Sequence, residues 1–170
     1  MSYPGDIMTT EKYELEKWMW TEADFEQMGW HDVRIHALAF IPNAYELALD
    51  IDYILDWVRP APEKTSFKFW VAPATLVFEN VNDLRIDLEP HLSVELQGIE
   101  RTEPQKPRNL EYIDRDIEWL WTLDSQSGEV SLRSVGFKLH IRQEPVLTQE
   151  QALDLEARGG FSFYRGRVIK

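Results

Sequence analysis

Cysteine is missing from all 170 residues. Its absence removes a disulfide framework, a thiolate zinc site and a cysteine nucleophile together, and it fits a reducing compartment. Long apolar runs are also missing: the longest, FWVAPATLVF, is about half a bilayer span. The opening MSYPGDIMTTEKYELEKWMW lacks the basic, apolar, small-residue order of a signal peptide. These absences predict a cytoplasmic protein with no membrane association.

Positive charge is scarce. Eighteen Lys and Arg against thirty Asp and Glu give a formal charge of −12, which repels nucleic-acid phosphates and anionic headgroups at long range. No nucleic acid is expected as a partner, and a basic protein is the favoured one. The charge is uneven, because the stretch from Arg158 to Lys170, RGGFSFYRGRVIK, carries four bases and no acid. That tail is expected to pair with the acidic body of its own fold. Its two glycines follow a helix instead of preceding one, so they form no phosphate cradle. The serines lack the glycine pattern of a nucleophile elbow. No cofactor is implied.

What the chain has in quantity is aromatic: seven Trp, six Tyr and eight Phe within a 44% hydrophobic composition. A chain of this length is expected to bury one sizeable core. Residues 1–29 read as an N-terminal helical arm, frayed over 1–10, with one short helix across EKYELEKWMW and another over TEADFEQMG, capped by Thr21 and Asp24 and ended by Gly29. Residues 30–170 read as a single β-rich domain.

From Trp30 the period becomes two. Val33, Ile35, Ala37 and Ala39 alternate with Arg34, His36, Leu38 and Phe40, as in a half-buried strand. After the turn IPNAY, the run ELALDIDYILDWV places Leu47, Leu49, Ile51 and Tyr53 against Glu46, Ala48, Asp50 and Asp52. Leu47, Ile51, Ile54 and Val58 also have helical spacing. Strand is preferred, because β-branched and aromatic positions follow the alternation and the turn is short enough for a hairpin. SFKFWVAPATLVFENV predicts a strand with a bulge or an edge position at Pro73. DLRIDL, HLSVELQGIE, IEWLWTL, EVSLRS and VGFKLHIR add further strands, RTEPQKPRN a loop, and Thr148 with Gln151 opens a C-terminal helix that Gly159 stops. The expected fold is α+β and mainly β: a bent antiparallel sheet or sandwich with short N-terminal helices and one C-terminal helix.

WHDVRIHALAF concentrates candidate chemistry. Its two histidines fall on opposite strand faces, so the segment alone makes no metal site. The 30–58 hairpin changes this by setting Asp50 and Asp52 opposite or diagonal to Arg34 and His36 on the outer face. Such a patch is a cross-strand charge ladder, a general base with an orienting carboxylate, or a cation site built from His36, Asp50 and Asp52 with His31 or His140 completing it. Trp57, Trp70, Trp119 and Trp121 line either the core or a binding groove. Trp30, Asp32, Arg34, His36, Asp50, Asp52, Trp57, Trp70, Trp119 and Trp121 are therefore the candidate binding residues of a non-enzymatic acidic module. A metal-dependent enzyme and a tryptophan-lined small-ligand pocket are the alternatives.

At MGWHDVRIHALAF, LDIDYILDWV, FWVAPATLVFENV and RGGFSF, the chain resembles a family of small, acidic, uncharacterised bacterial proteins over most of residues 28–163. The resemblance carries no catalytic residue. The WHD strand followed by an acidic DID strand is also similar to small immunity proteins of bacterial toxin systems, which implies a basic protein as the partner.

Overall fold

A computed structural model describes residues 12–89 and 91–169. Among the described residues ten strands form one open antiparallel sheet: β1 (Met19–Thr21), β2 (Arg34–Ile41), β3 (Glu46–Val58), β4 (Lys68–Glu79), β5 (Asn82–Leu88), β6 (Val94–Gln105), β7 (Glu118–Ser125), β8 (Gly128–Ser134), β9 (Gly136–Ile141) and β10 (Val146–Thr148). Their order is β1-β9-β4-β3-β2-β6-β7-β8-β5, with β10 also alongside β4. The α-helix α1 (Leu155–Arg158) is short. No helix of the described residues is long and apolar enough to cross a membrane.

The sheet is bent at a narrow seam, where β2 meets β6 through only Arg34–Glu95 and Ile35–Val94. The two halves therefore face each other. Phe78 of β4 and Phe137 of β9 pack on Trp121 of β7, with ring centroids 5.6 Å away in both cases. Leu49, Ile51, Leu76, Leu123 and Leu132 fill the space between them. This is the expected bent, mainly β architecture.

The expected strands in the middle of the chain form because alternation and turn chemistry agree. IPNAY becomes a 3-10 turn over Pro42–Ala44 that ends with Tyr45 in a left-handed conformation, and it joins β2 to β3 as a hairpin. Residues 46–58 are strand, not helix.

Both ends of the chain depart from the expectation. EKYELEKWMW ends in a strand, Met19–Thr21, that runs one residue past it and pairs with β9, and Leu15 and Trp18 pack on the core. The second expected helix is a 3-10 helix, Glu22–Gln27. Thr21 and Asp24 make its capping box, yet the chain leaves it at Met28, in extended backbone, before Gly29 is reached. Phe25 and Met28 also touch the core. The expected fraying of 1–10 lies outside the described residues.

At the other end, helix occupies only Leu155–Arg158, capped by Asp154, and Gly159 terminates it at φ 80°. It begins later than Thr148 and Gln151 suggest because tertiary partners take the groups a first turn would use. The Gln151 side chain donates to Asp32 at 2.6 Å, and the Leu153 N–H donates to Asp52 at 2.8 Å.

Pro73 corrects another expectation. It pairs with Asp52 in a central strand without a bulge. On the other side of β4, β9 ends opposite Ala74 and β10 begins opposite Val71. The missing N–H thus falls in the gap where one neighbour gives way to the next, so no ladder bond is lost.

Candidate functional site

The period-two pattern of β3 turns Leu49 and Ile51 to the core, leaving Asp50 and Asp52 on the opposite face. That face is closed. Residues 149–168 run across it, and Asp50 and Asp52 are both 0% exposed.

Asp50 accepts four hydrogen bonds. Oδ1 receives Nη2 of Arg142 at 2.8 Å and Nη2 of Arg158 at 2.6 Å; Oδ2 receives Nη1 of Arg158 at 2.8 Å and the Ser162 N–H at 2.9 Å. Asp52 accepts the Arg158 Nε–H at 3.1 Å and the Leu153 N–H at 2.8 Å, and its Oδ2 lies 2.8 Å from His36 Nε2. Four more guanidinium hydrogens reach Thr75 Oγ1 and the carbonyls of Ile51, Gly160 and Ser162. Thr75 in turn donates to the Tyr164 carbonyl at 2.6 Å.

Two buried carboxylates and two buried guanidiniums balance in charge, and nearly every donor and acceptor is used. This is the condition under which buried ions are tolerated. Burial pushes the Asp50 carboxyl up, but the Arg158 bond, the Ser162 amide and Arg142 outweigh it and hold its pKa below the usual value. For Asp52 burial is likewise overcome, by the His36 bond, Arg158 and the Leu153 amide. Arg158 shows the converse: burial lowers its pKa, and the two carboxylates raise it by more.

His36 arrives through a β-bulge. The β2–β3 register runs Ile35–Ile51 and then Ala37–Asp50, so His36 is the extra residue. Beyond it the expected faces reverse. Leu38 lies opposite Leu49 and packs on the core, while Ala37 and Ala39 share the face of Asp50 and Ala48.

The expected patch is therefore assembled only in part. Arg34 is in register with Asp52 as expected, but its guanidinium turns to Glu95 at 2.7 Å. Asp32 sits outside the cluster at φ 67°, between His31 and Gln151. His140 shares the outer face with Thr75, one strand beyond it, where burial, Arg165 and Lys138 lower its pKa. The metal set His36, Asp50, Asp52 and His140 does not come together, because the carboxylate oxygens are occupied by guanidiniums and amides. Among the described residues no group of three or more His, Asp or Glu is placed to hold a metal.

Arg142 and Arg158 complete the cluster, and sequence reasoning did not select them. The only signal was the acid-free tail, and its expected pairing with the body is seen three times: Arg158 with Asp50 and Asp52, Arg165 with Glu46 at 2.8 Å, and Arg167 with Glu144 at 2.9 Å.

The tryptophans do not form one groove. Trp121 is wholly buried and donates to the Ser134 carbonyl, while Trp119 lies under Arg101 at 4.8 Å. Trp30 is in the core against Tyr53 and Phe137. Trp70 is buried beside Tyr13, and Trp57 is 41% exposed, edge-on to Phe69 and Phe67.

Chemically, the Asp50–Asp52 cluster is a staple. Asp50 has no lone pair left for a substrate proton, neither carboxylate is open to solvent, and the two carboxylates raise the pKa of Arg158. Comparison with protein families, curated proteins and solved structures finds no match for this chain.

Proposed function

We propose that this chain is a non-enzymatic, acidic binding module whose partner is a basic protein, after the manner of immunity proteins in bacterial toxin systems. One observation carries the reading: the residues with the best catalytic credentials, His36, Asp50 and Asp52, are consumed in fastening residues 149–168 to the sheet. The cluster is neutral overall, so it leaves the surplus of −12 on the rest of the molecule. Opposite charge accelerates encounter with a basic surface, and exposed aromatics such as Trp57 and Phe67 supply anchors. A cytoplasmic location and the avoidance of nucleic acid belong to the same reading, the latter supported by the sign of the charge.

The test is purification of the untagged protein from its source cell at low salt, identification of the companion by mass spectrometry, and measurement of its Kd against ionic strength. A companion of net positive charge, bound less tightly as added salt shortens the Debye length from about 10 Å toward 3 Å, supports the module. Isolation without a stoichiometric companion, or salt-independent affinity, counts against it.

A further inference from the structure

Between the N-terminal segment and the far end of β3 lies a cleft of about 590 Å³. Tyr13, Trp20, Trp30, Tyr53 and Trp57 contribute aromatic walls, while Glu14, Glu16 and Asp56 bring carboxylates. Among the described residues no lysine or arginine lines it, and the one cation at its border is Lys17, which covers the Trp20 ring. Glu14, Glu16, Asp56 and His31 are exposed, whereas Trp30 and Tyr53 are each 5% exposed. The carboxylates act on the cleft wall: the Tyr13 hydroxyl has a raised pKa, first from burial and then from Asp56 and Glu16.

The chain's own use of tryptophan sets this cleft apart. Lys17 sits over Trp20 at 4.5 Å, Arg167 over Trp18 at 4.0 Å, and Arg101 over Trp119 and Trp121 at 4.8 and 5.7 Å. Trp57 is the one tryptophan among the exposed large hydrophobics, and it has no such cation among the described residues. Trp30 also has an unmet need, because its buried indole N–H has no hydrogen-bond partner among the described residues.

We infer that this cleft is the docking point for a lysine or arginine side chain projecting from a basic partner protein, an assignment that rests on the binding-module reading and names its recognition chemistry. A cation is drawn to the aromatic faces by their quadrupoles and to the rim by three carboxylates. A neutral apolar ligand would have to desolvate those carboxylates without compensation, and an anion would be repelled. The volume admits a long side chain, whose methylene stem lies along the rings while its charged head meets Asp56, Glu14 or Glu16.

The experiment uses the full chain, ¹⁵N-labelled, so that the indole signals of its seven tryptophans can be followed. The probes are the capped tripeptide Gly-Arg-Gly and its citrulline counterpart, which keeps the shape and loses the charge. The arginine peptide shifts the Trp30 and Trp57 signals saturably; the citrulline peptide does not. Asp56→Asn weakens binding about fivefold and Trp57→Ala about tenfold, both at exposed positions where folding is retained and verified by the unchanged remaining signals. Equal shifts with both peptides, or none with either, overturn the assignment. So does self-association that Trp57→Ala abolishes in a chain indifferent to the peptide, since a second copy would then be the occupant. If a basic companion is isolated and binds both variants as tightly as the parent, the cleft assignment fails and the binding-module reading stands. If no companion exists and the arginine peptide still binds selectively, the cleft keeps its selectivity for a basic side chain, while the binding-module reading and the partner protein with it fail.

Discussion

Arg158 and Asp50 stand 108 residues apart in sequence and 2.6 Å apart in space, with neither side chain exposed to solvent. Their contact explains why β3 is buried on both faces. One face packs against the other half of the sheet, and the other lies beneath residues 149–168, which Arg158, Leu153 and Ser162 tie down through two carboxylates.

Replacing Arg158 by Met keeps much of the volume and removes the charge, leaving Asp50 and Asp52 short of their main counter-ion. The expected loss is about 3–5 kcal/mol of folding stability, read from the midpoint of a urea titration. Limited proteolysis of the same variant should cut first between 149 and 168. An unchanged midpoint and cleavage pattern would mean that the tail is held by other contacts.

Acid should loosen the same staple. Both carboxyls have folded pKa values below the unfolded reference of about 3.9. Their contribution is therefore fully present above that reference, and it is lost as pH falls through it toward the lower folded values. Stability measured by urea denaturation should be nearly level from about pH 7 to pH 5 as far as these groups are concerned, then decline. Asp50→Asn should start lower and decline less steeply. Parallel curves for the two proteins would show that Asp50 takes no part in the acid response.

Gly128 opens β8 at φ 126°, and a Cβ there would run into the Asp87 carbonyl oxygen of the paired strand β5. Gly128→Ala can be accommodated only by moving backbone, so it should cost more than about 1 kcal/mol. Amide hydrogen exchange should speed up first in residues 82–88, the edge strand that must give way. Unaltered protection in that strand would count against the close approach.

The fold was legible where one segment's pattern sufficed. Period-two alternation located β2 and β3, and IPNAY marked their hairpin. The candidate site was legible by half: alternation placed Asp50 and Asp52 on one face beside His36. It could not show that His36 is a bulge residue, because one inserted residue reverses the faces beyond it without altering the composition of the run. Nor could it pair Arg142 and Arg158 with those carboxylates, since nothing local records a contact made across 92 and 108 positions. Even the short α1 follows from this, as its expected first turn is pre-empted when the Leu153 N–H goes to Asp52.

A double-mutant cycle on Asp50 and Arg158, both changed to Ala singly and together and followed by urea denaturation, tests most directly whether the acidic pair is internal architecture. Each single variant strands a buried charge, whereas the double variant removes both. The losses should therefore be strongly non-additive, with a coupling of about 2–3 kcal/mol. Additivity within about 0.5 kcal/mol would contradict the staple and return Asp50 and Asp52 to the list of groups free to act on a ligand.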